Sequence, residues 1–310
     1  MQAKTIRIGT RGSPLALAQA REAEARLGAA HAPGAYAYDI RVIRTSGDRI
    51  QDRPLAEAGG SKGFFTKEIE EALLAGEIDI AVHSMKDMPT LLPSGLVVAC
   101  YLPRQDVRDA FIGRGVASLA ELPAGAVVGT SSLRRQAQVR RLRPDLKVQS
   151  LRGNVETRLK KLTDGVAQAT ILAMAGLNRL GLQDRVSSPL PVDLMLPAVA
   201  QGAVGIECRA DDFAMMRLIA PINHQPTALA VAAERAFLAK LDGSCRTPIA
   251  GLAELDDAGL HFRGMILTPD GREWHATARR GRPEEAIRLA EDAAAELLAR
   301  AGPNFLRALG

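Results

Sequence analysis

Aromatic residues are scarce in this 310-residue chain: one Trp, three Tyr and seven Phe, 4% in all. The basic clusters therefore lack the aromatic platforms on which nucleic-acid bases stack. The net charge of +5 is a small excess of 40 basic over 35 acidic residues, interleaved along most of the chain. A nucleic-acid partner is not expected. Long apolar runs are missing too. Crossing a bilayer takes about 20 residues, and the most apolar stretch, TALAVAAERAFLAKL, is broken by Glu234 and Arg235. The opening MQAKTIRIGTRG mixes charges with apolar residues, so no signal-peptide core is read there. The expectation is a cytoplasmic protein with no membrane partner.

Cysteine is rarer still, at three residues. They are far apart, with no CxxC pair and no His at zinc-ligand spacing, so neither a disulfide framework nor a metal site is expected. Cys100 in LVVACYL and Cys208 in AVGIECR lie in apolar, strand-like runs and read as buried structural thiols. Cys245 differs. It lies in LDGSCRTPIA, where Asp242, Gly243, Ser244 and Pro248 make a turn and Arg246 follows directly. A turn and an adjacent cation favour an accessible thiol with some thiolate character. Nucleotide cradles are also missing, since no G-x-x-x-x-G-K-S/T loop occurs and no G-x-G-x-x-G follows a strand.

What is present is an α/β chain too long for one ordinary core. TIRIGT reads as a strand, and RGSPLALAQA begins a helix with Ser13 as N-cap and Pro14 as its first residue. YDIRVIRT reads as a second strand. FFTKEIEEALLAGEIDIAVHS reads as a helix closed by Gly76 and a buried strand from Ile78 to Val82. Strands alternating with helices imply sheets covered on both faces. VVGTSSLRRQAQVRRL repeats the grammar of IGTRGSPLALAQA, and GVAQATILAMAGL loosely echoes GEIDIAVHSMKDM, which points to two similar lobes facing a cleft. The last third differs: a helix from TALAVAAERAFLAKL capped by Thr227, three strands (IAGLAEL, GLHFRGMIL, EWHATAR) joined by turns, and the amphipathic helix PEEAIRLAEDAAAELLAR. This predicts a small α+β domain with a three-stranded antiparallel sheet.

Arginines gather where helices begin. Arg134 and Arg135 follow Ser132, Arg158 follows Asn154, Arg11 precedes Ser13, and Arg152 precedes the Gly153–Asn154 turn. A cation in the first helical turn opposes the macrodipole at a cost of roughly 0.3–1 kcal/mol. Five such residues read as anion sites in which guanidinium forks and backbone N–H groups act together. With no phosphate cradle, a ligand bearing several carboxylates is preferred. HSMKDMP, residues 83–89, leaves the strand IDIAV as a loop at its C-terminal end and sets Lys86 beside Asp87. His83 reads as a hydrogen-bonded structural residue.

Together, IGTRGSPLALAQA, HSMKDMP, GTSSLRRQAQ, LRGNVETRL, AGLNRLGL, PAVAQGAVGIECR and the Cys245 loop resemble, in that order, the porphobilinogen deaminase (hydroxymethylbilane synthase) family. The resemblance implies that Cys245 carries a dipyrromethane cofactor through a thioether. On that primer four porphobilinogen units are joined with loss of ammonia, and hydroxymethylbilane is released by hydrolysis. Asp87 matches the catalytic aspartate. It serves azafulvene formation, attack by the terminal ring's α-carbon and the final proton loss. Ser84, Lys86, Thr130, Ser131, Ser132, Arg134, Arg135 and Arg158 are implied in cofactor binding. Arg11, Ser13, Arg152, Arg158 and Arg179 are implied for the acetates and propionates of the substrate.

The resemblance also implies two lobes like those of periplasmic binding proteins and a C-terminal domain. The first lobe covers residues 1–101 and 202–220, the second 107–198, and the C-terminal domain 224–310, with hinges near Leu102 to Gln105 and Val199 to Gln201. A monomer is expected, passing its product to uroporphyrinogen-III synthase. Two motifs depart from the family: the cysteine loop is GSCRTP, and the glycine-rich loop is GGSKG, which weakens any role for Lys62 or Phe65. A two-lobed receptor or regulator for a small polycarboxylate would share the cleft and the arginines. It would need neither Cys245 nor Asp87.

Overall fold

The computed structural model describes residues 4–49, 65–241 and 248–309. The cysteine loop around Cys245 and the residue Lys62 lie outside them. Two compact units divide the chain: Met1–Gln105 with Ala203–Ala228, and Asp106–Gly202 with Leu229–Gly310.

The first unit opens with β1 (Lys4–Thr10), whose Ile6 and Ile8 are fully buried, and α1 (Pro14–Ala30). The start of α1 is fixed as expected: Pro14 stands in its first turn and Ser13 Oγ accepts from Ala16 N at 3.2 Å. There follow β2 (Tyr36–Val42), α2 (Ser46–Arg49), α3 (Lys67–Leu74), β3 (Ile80–Ser84) and β4 (Leu96–Tyr101). β3 begins two residues later than predicted. The chain closes α3 first, with Glu77 N donating to Ala72 O at 2.9 Å and Gly76 at φ 69°. His83 and Ser84 are thereby strand residues, and the turn proper is a 3₁₀ segment, Met85–Asp87.

The second unit contributes β5 (Asp109–Gly113), β6 (Val127–Gly129), α4 (Leu133–Leu142), β7 (Lys147–Gln149), α5 (Val155–Thr163), β8 (Ala169–Ala173), α6 (Met174–Arg179) and β9 (Ser188–Leu190). The chain then returns to the first unit with β10 (Val204–Arg209) and α7 (Phe213–Ile219).

The two five-stranded sheets have one topology. The first runs β2-β1-β3-β10-β4 and the second β7-β6-β8-β5-β9. In each, three parallel strands are followed by one antiparallel strand, β10 against β3 and β5 against β8. The repeated sequence grammar therefore marks a repeated architecture: β1–α1 corresponds to β6–α4, and β3 with its 3₁₀ turn to β8–α6.

The remainder is α8 (Gln225–Lys240), β11 (Ile249–Asp256), β12 (Gly259–Leu267), β13 (Trp274–Gly281) and α9 (Ala286–Leu309). These last strands form the expected antiparallel meander, β11-β12-β13. Thr227 is not the cap of α8. That place belongs to His224, whose Nδ1 accepts from Thr227 N at 3.3 Å while its carbonyl accepts from Ala228 N at 3.0 Å. Thr227 Oγ1 instead accepts from Arg104 N at 3.0 Å. The meander packs on α4 through Ala137, Leu196, Ala250, Leu252, Met265 and Leu267. At its turn, Gly271 (φ 71°) lies so close that an added Cβ would stand 2.4 Å from the carbonyl of Ala137. The fold is thus the α/β class expected, two lobes with three-layer character and a small antiparallel domain.

Candidate active site

In the first unit, the ends of β1 and β3 deliver the functional groups to one pocket. Arg11 and Ser13 come from the β1–α1 junction, Gln19 from α1, and His83, Ser84 and Asp87 from β3 and its 3₁₀ turn; Phe65 completes the lining. The Arg11 guanidinium stacks 4.1 Å from the Phe65 ring centroid, so Phe65 has a place at this site that its altered loop sequence did not suggest. Gln19 Nε2 donates to Ser84 Oγ at 2.8 Å, fixing that hydroxyl. Asp87 is exposed, and Lys86 beside it is half-buried.

Below this surface lies a buried polar group. His83 Nε2 is 3.1 Å from Glu207 Oε2, which bears out the hydrogen-bonded reading of His83. Glu70 is also buried nearby, and burial pushes its carboxyl up.

In the second unit the same strand-to-helix junction carries Thr130, Ser131 and Ser132. Ser132 caps α4 by accepting from Arg135 N at 3.4 Å, Thr130 Oγ1 accepts from Ser132 N at 3.3 Å, and Ser131 Oγ lies 2.9 Å from Ser150 Oγ. Arg134 and Arg135 do not project from the helix end towards solvent. Their side chains are about 5% exposed and meet at Asp109, the fully buried first residue of β5. Arg135 donates from Nε and Nη2 to Asp109 Oδ1 at 3.1 and 2.7 Å, and Arg134 Nη2 is 2.8 Å from Oδ2. Burial alone would raise the Asp109 carboxyl. The two arginines outweigh burial and hold it well below the usual carboxylate range. Their cost at the helix start is thus offset by a carboxylate distant in sequence.

The other arginines are half-buried. Asn154 caps α5, accepting from Thr157 N at 2.8 Å, and Arg158 Nε folds back onto the Gly153 carbonyl at 2.8 Å. Arg152 lies just before that turn, and its carbonyl accepts from Lys161 Nζ at 3.0 Å. Arg179, at the end of α6, donates to the carbonyl of Gly202 at 3.3 Å. Sequence reasoning passed over Asp109 and gave Gln201 only as the end of a hinge. Asp109 carried a signal, a lone charge opening the apolar strand DAFIG.

The first unit therefore offers an exposed carboxylate beside a stacked arginine and fixed hydroxyls, and the second a basic, hydroxyl-rich junction. Such a set handles ligands rich in carboxylates and reactions that develop positive charge.

Two family models match the chain: "Porphobilinogen deaminase, dipyromethane cofactor binding domain" over residues 6–217 and "Porphobilinogen deaminase, C-terminal domain" over residues 228–299. Porphobilinogen deaminase of Paracoccus denitrificans is 61% identical over 300 residues, covering 97% of this chain and 96% of the relative. That of Nitrobacter hamburgensis is 59% identical over 298 residues, covering 96% and 94%. The chloroplastic enzyme of Pisum sativum is 56% identical over 306 residues, covering 97% and 83%. The chain belongs to the porphobilinogen deaminase family. Its activity is that of a hydroxymethylbilane synthase, a transferase of tetrapyrrole and haem biosynthesis, and its cofactor is dipyrromethane.

Proposed function

We propose that Asp87 is the catalytic carboxylate of this chain and that Cys245 holds dipyrromethane through a thioether. The observation that carries the first assignment is the exposed Asp87 on a 3₁₀ turn, lining one pocket with Arg11 and Ser13. Bound dipyrromethane supplies the primer and the nucleophilic carbon to which porphobilinogen is joined. The carboxylate of Asp87 stabilises the positive charge that develops as ammonia leaves the substrate, and it accepts the proton released when the new bond forms. Positioned acid–base help of this kind contributes about 10²–10⁴ in rate, and electrostatic stabilisation adds to it.

The residues fit a polycarboxylate cofactor. Arg134 and Arg135 share one carboxylate, so one positive charge of that cluster is left over, with hydroxyls of Thr130, Ser131 and Ser132 on the same junction. We assign these five, with Ser84, Lys86 and Arg158, to the acetates and propionates of dipyrromethane. Arg11, Ser13, Arg152, Arg158 and Arg179 are assigned to those of porphobilinogen.

The proposal extends to three domains: residues 1–101 with 202–220, 107–198 and 224–310. The separate meander supports setting the last of these apart, although it clusters with the second lobe. The enzyme acts as a cytoplasmic monomer and passes its product to uroporphyrinogen-III synthase. No helix of the described residues is long and apolar enough to cross a membrane.

The deciding experiment is the intact mass of the purified, denatured protein beside that of Cys245→Ser, each after incubation with porphobilinogen. An excess of two linked pyrrole units in the wild type, absent from the variant, is expected. Bare polypeptide mass in both would overturn the assignment of Cys245.

A further inference from the structure

Among the described residues, two buried cations and one buried anion meet at the first residue of β5. Asp109 has no exposed surface, and Arg134 and Arg135 are nearly as buried, so one carboxylate faces two guanidiniums. Among the described residues the other buried carboxylate of this unit is Glu234, which accepts from the backbone N–H groups of Ala200 and Ala253. A neutral donor, Gln201 Nε2, adds a third hydrogen bond to Asp109 Oδ1 at 2.9 Å. Two backbone carbonyls complete the framing: Ile171 O accepts from Arg135 Nη1 at 2.9 Å and Leu196 O from Arg134 Nη1 at 2.7 Å. Arg134 Nε is buried and has no hydrogen-bond partner among the described residues.

Stability alone is a poor reason for such a cluster. Buried ion pairs commonly return less than their desolvation costs, and a pair with a surplus cation returns less again. What the cluster does supply is fixed geometry. Five contacts pin the two guanidiniums side by side, with two cations against one carboxylate in this cluster among the described residues.

We propose that Asp109 is a positioning residue of the cofactor site: it holds Arg134 and Arg135 in register and cancels one of their charges, leaving the other for a single carboxylate of dipyrromethane. This rests on the assignment of Arg134 and Arg135 to the cofactor. Asp109 acts through the arginines and touches no reacting atom.

The test separates geometry from charge. Apo forms of the wild type, Arg134→Gln, Arg135→Gln, Asp109→Asn and the double variant Asp109→Asn/Arg135→Gln are given porphobilinogen. Covalent loading is followed by intact mass, at a temperature below every melting point. In Arg135→Gln the cluster carries no net charge; in the double variant it regains the wild-type surplus. If Asp109 only balanced charge, the double variant would load faster than Arg135→Gln. If Asp109 positions Arg134, the double variant loads more slowly, by about tenfold, the lower end of what outer partners of ligand sites are worth. Equal or faster loading overturns the proposal. This comparison stands even where Asp109→Asn alone does not fold. Arg134→Gln tests the underlying assignment separately: loading at the wild-type rate removes the cofactor role of Arg134 itself. Slow loading there, beside unimpaired loading in the double variant, removes only the role of Asp109.

Discussion

The two lobes share a strand order, yet they use the same strand-to-helix junction in opposite ways. In the first lobe the arginine precedes the N-cap, and Arg11 opens into a pocket against Phe65. In the second the arginines follow the N-cap, at the second and third helical positions, and are turned inward onto Asp109. The difference follows from backbone geometry. A residue before the cap lies on extended chain leaving the strand, at the ligand edge of the sheet. A residue in the first helical turn has its Cβ tilted towards the helix start and, on the inner face, over the neighbouring strands. One sequence signal thus produces a pocket-facing contact in one lobe and a buried electrostatic frame in the other.

The largest effect expected on activity lies in the exposed half. Asp87→Asn should lower turnover by about 10²–10⁴ while leaving the melting temperature unchanged, because the residue is exposed at the end of its 3₁₀ turn. Steady-state kinetics beside a thermal melt measure both. A near-normal rate would sink the catalytic assignment.

On stability the order reverses. Asp109→Asn leaves two buried cations without a carboxylate and should cost about 3–5 kcal/mol in urea unfolding. For comparison, Asp79 in the first lobe binds the partly exposed Arg7 at 2.6 Å; Asp79→Asn should cost about 1 kcal/mol or less. Acid sharpens the contrast. The Asp109 carboxyl is lowered on folding, so its contribution is present above the unfolded carboxylate range, near pH 4, and is lost as pH falls through its folded value. Asp109→Asn should therefore flatten the acid limb of the urea midpoint measured against pH. An unchanged limb would mean that other carboxylates govern acid unfolding.

How much of this was legible in the sequence depends on the separation of partners. Caps and turns are local: Ser13, Ser132 and Asn154 each bond a backbone N–H three residues on, and all three helix starts were readable. The three-stranded meander was readable for the same reason, its turns lying between adjacent strands. Misreadings arose where a distant group competed. Thr227 looked like a cap, but its hydroxyl serves Arg104, 123 residues away, and His224 caps instead. Burial of Arg134 and Arg135 was also out of reach, because nothing in SSLRRQAQ reveals a carboxylate 26 residues upstream of Arg135 on another strand. The partnership of His83 with Glu207, 124 residues apart, was equally invisible, although the buried strand around His83 demanded some partner.

A smaller effect compares the two junctions directly. Ser13→Ala and Ser132→Ala each remove the side-chain acceptor for one helix N–H, at about 1 kcal/mol apiece in urea unfolding. The bond at Ser132 is the longer, 3.4 Å against 3.2 Å, and α4 is held besides by Arg135 on Asp109 and Gln138 on Leu196. Ser132→Ala should therefore be the milder of the two. The reverse order would show that the cap matters more to α4 than its buried side chains do.

The smallest effect expected is none, and it falls on the first unit's thiols. Burial pushes Cys100 up to about 12 and Cys208 up to about 11, on neighbouring strands β4 and β10. At pH 8 neither has appreciable thiolate, and neither offers a surface for attack. Native protein treated with iodoacetamide should show no label at either position by peptide mass mapping, whereas unfolded protein should label at both. If dipyrromethane occupies Cys245, the loaded native enzyme should gain no label at all and the apo form one, at Cys245. Label at Cys100 or Cys208 in native protein would mean that the β4–β10 edge opens far more readily than its buried packing implies.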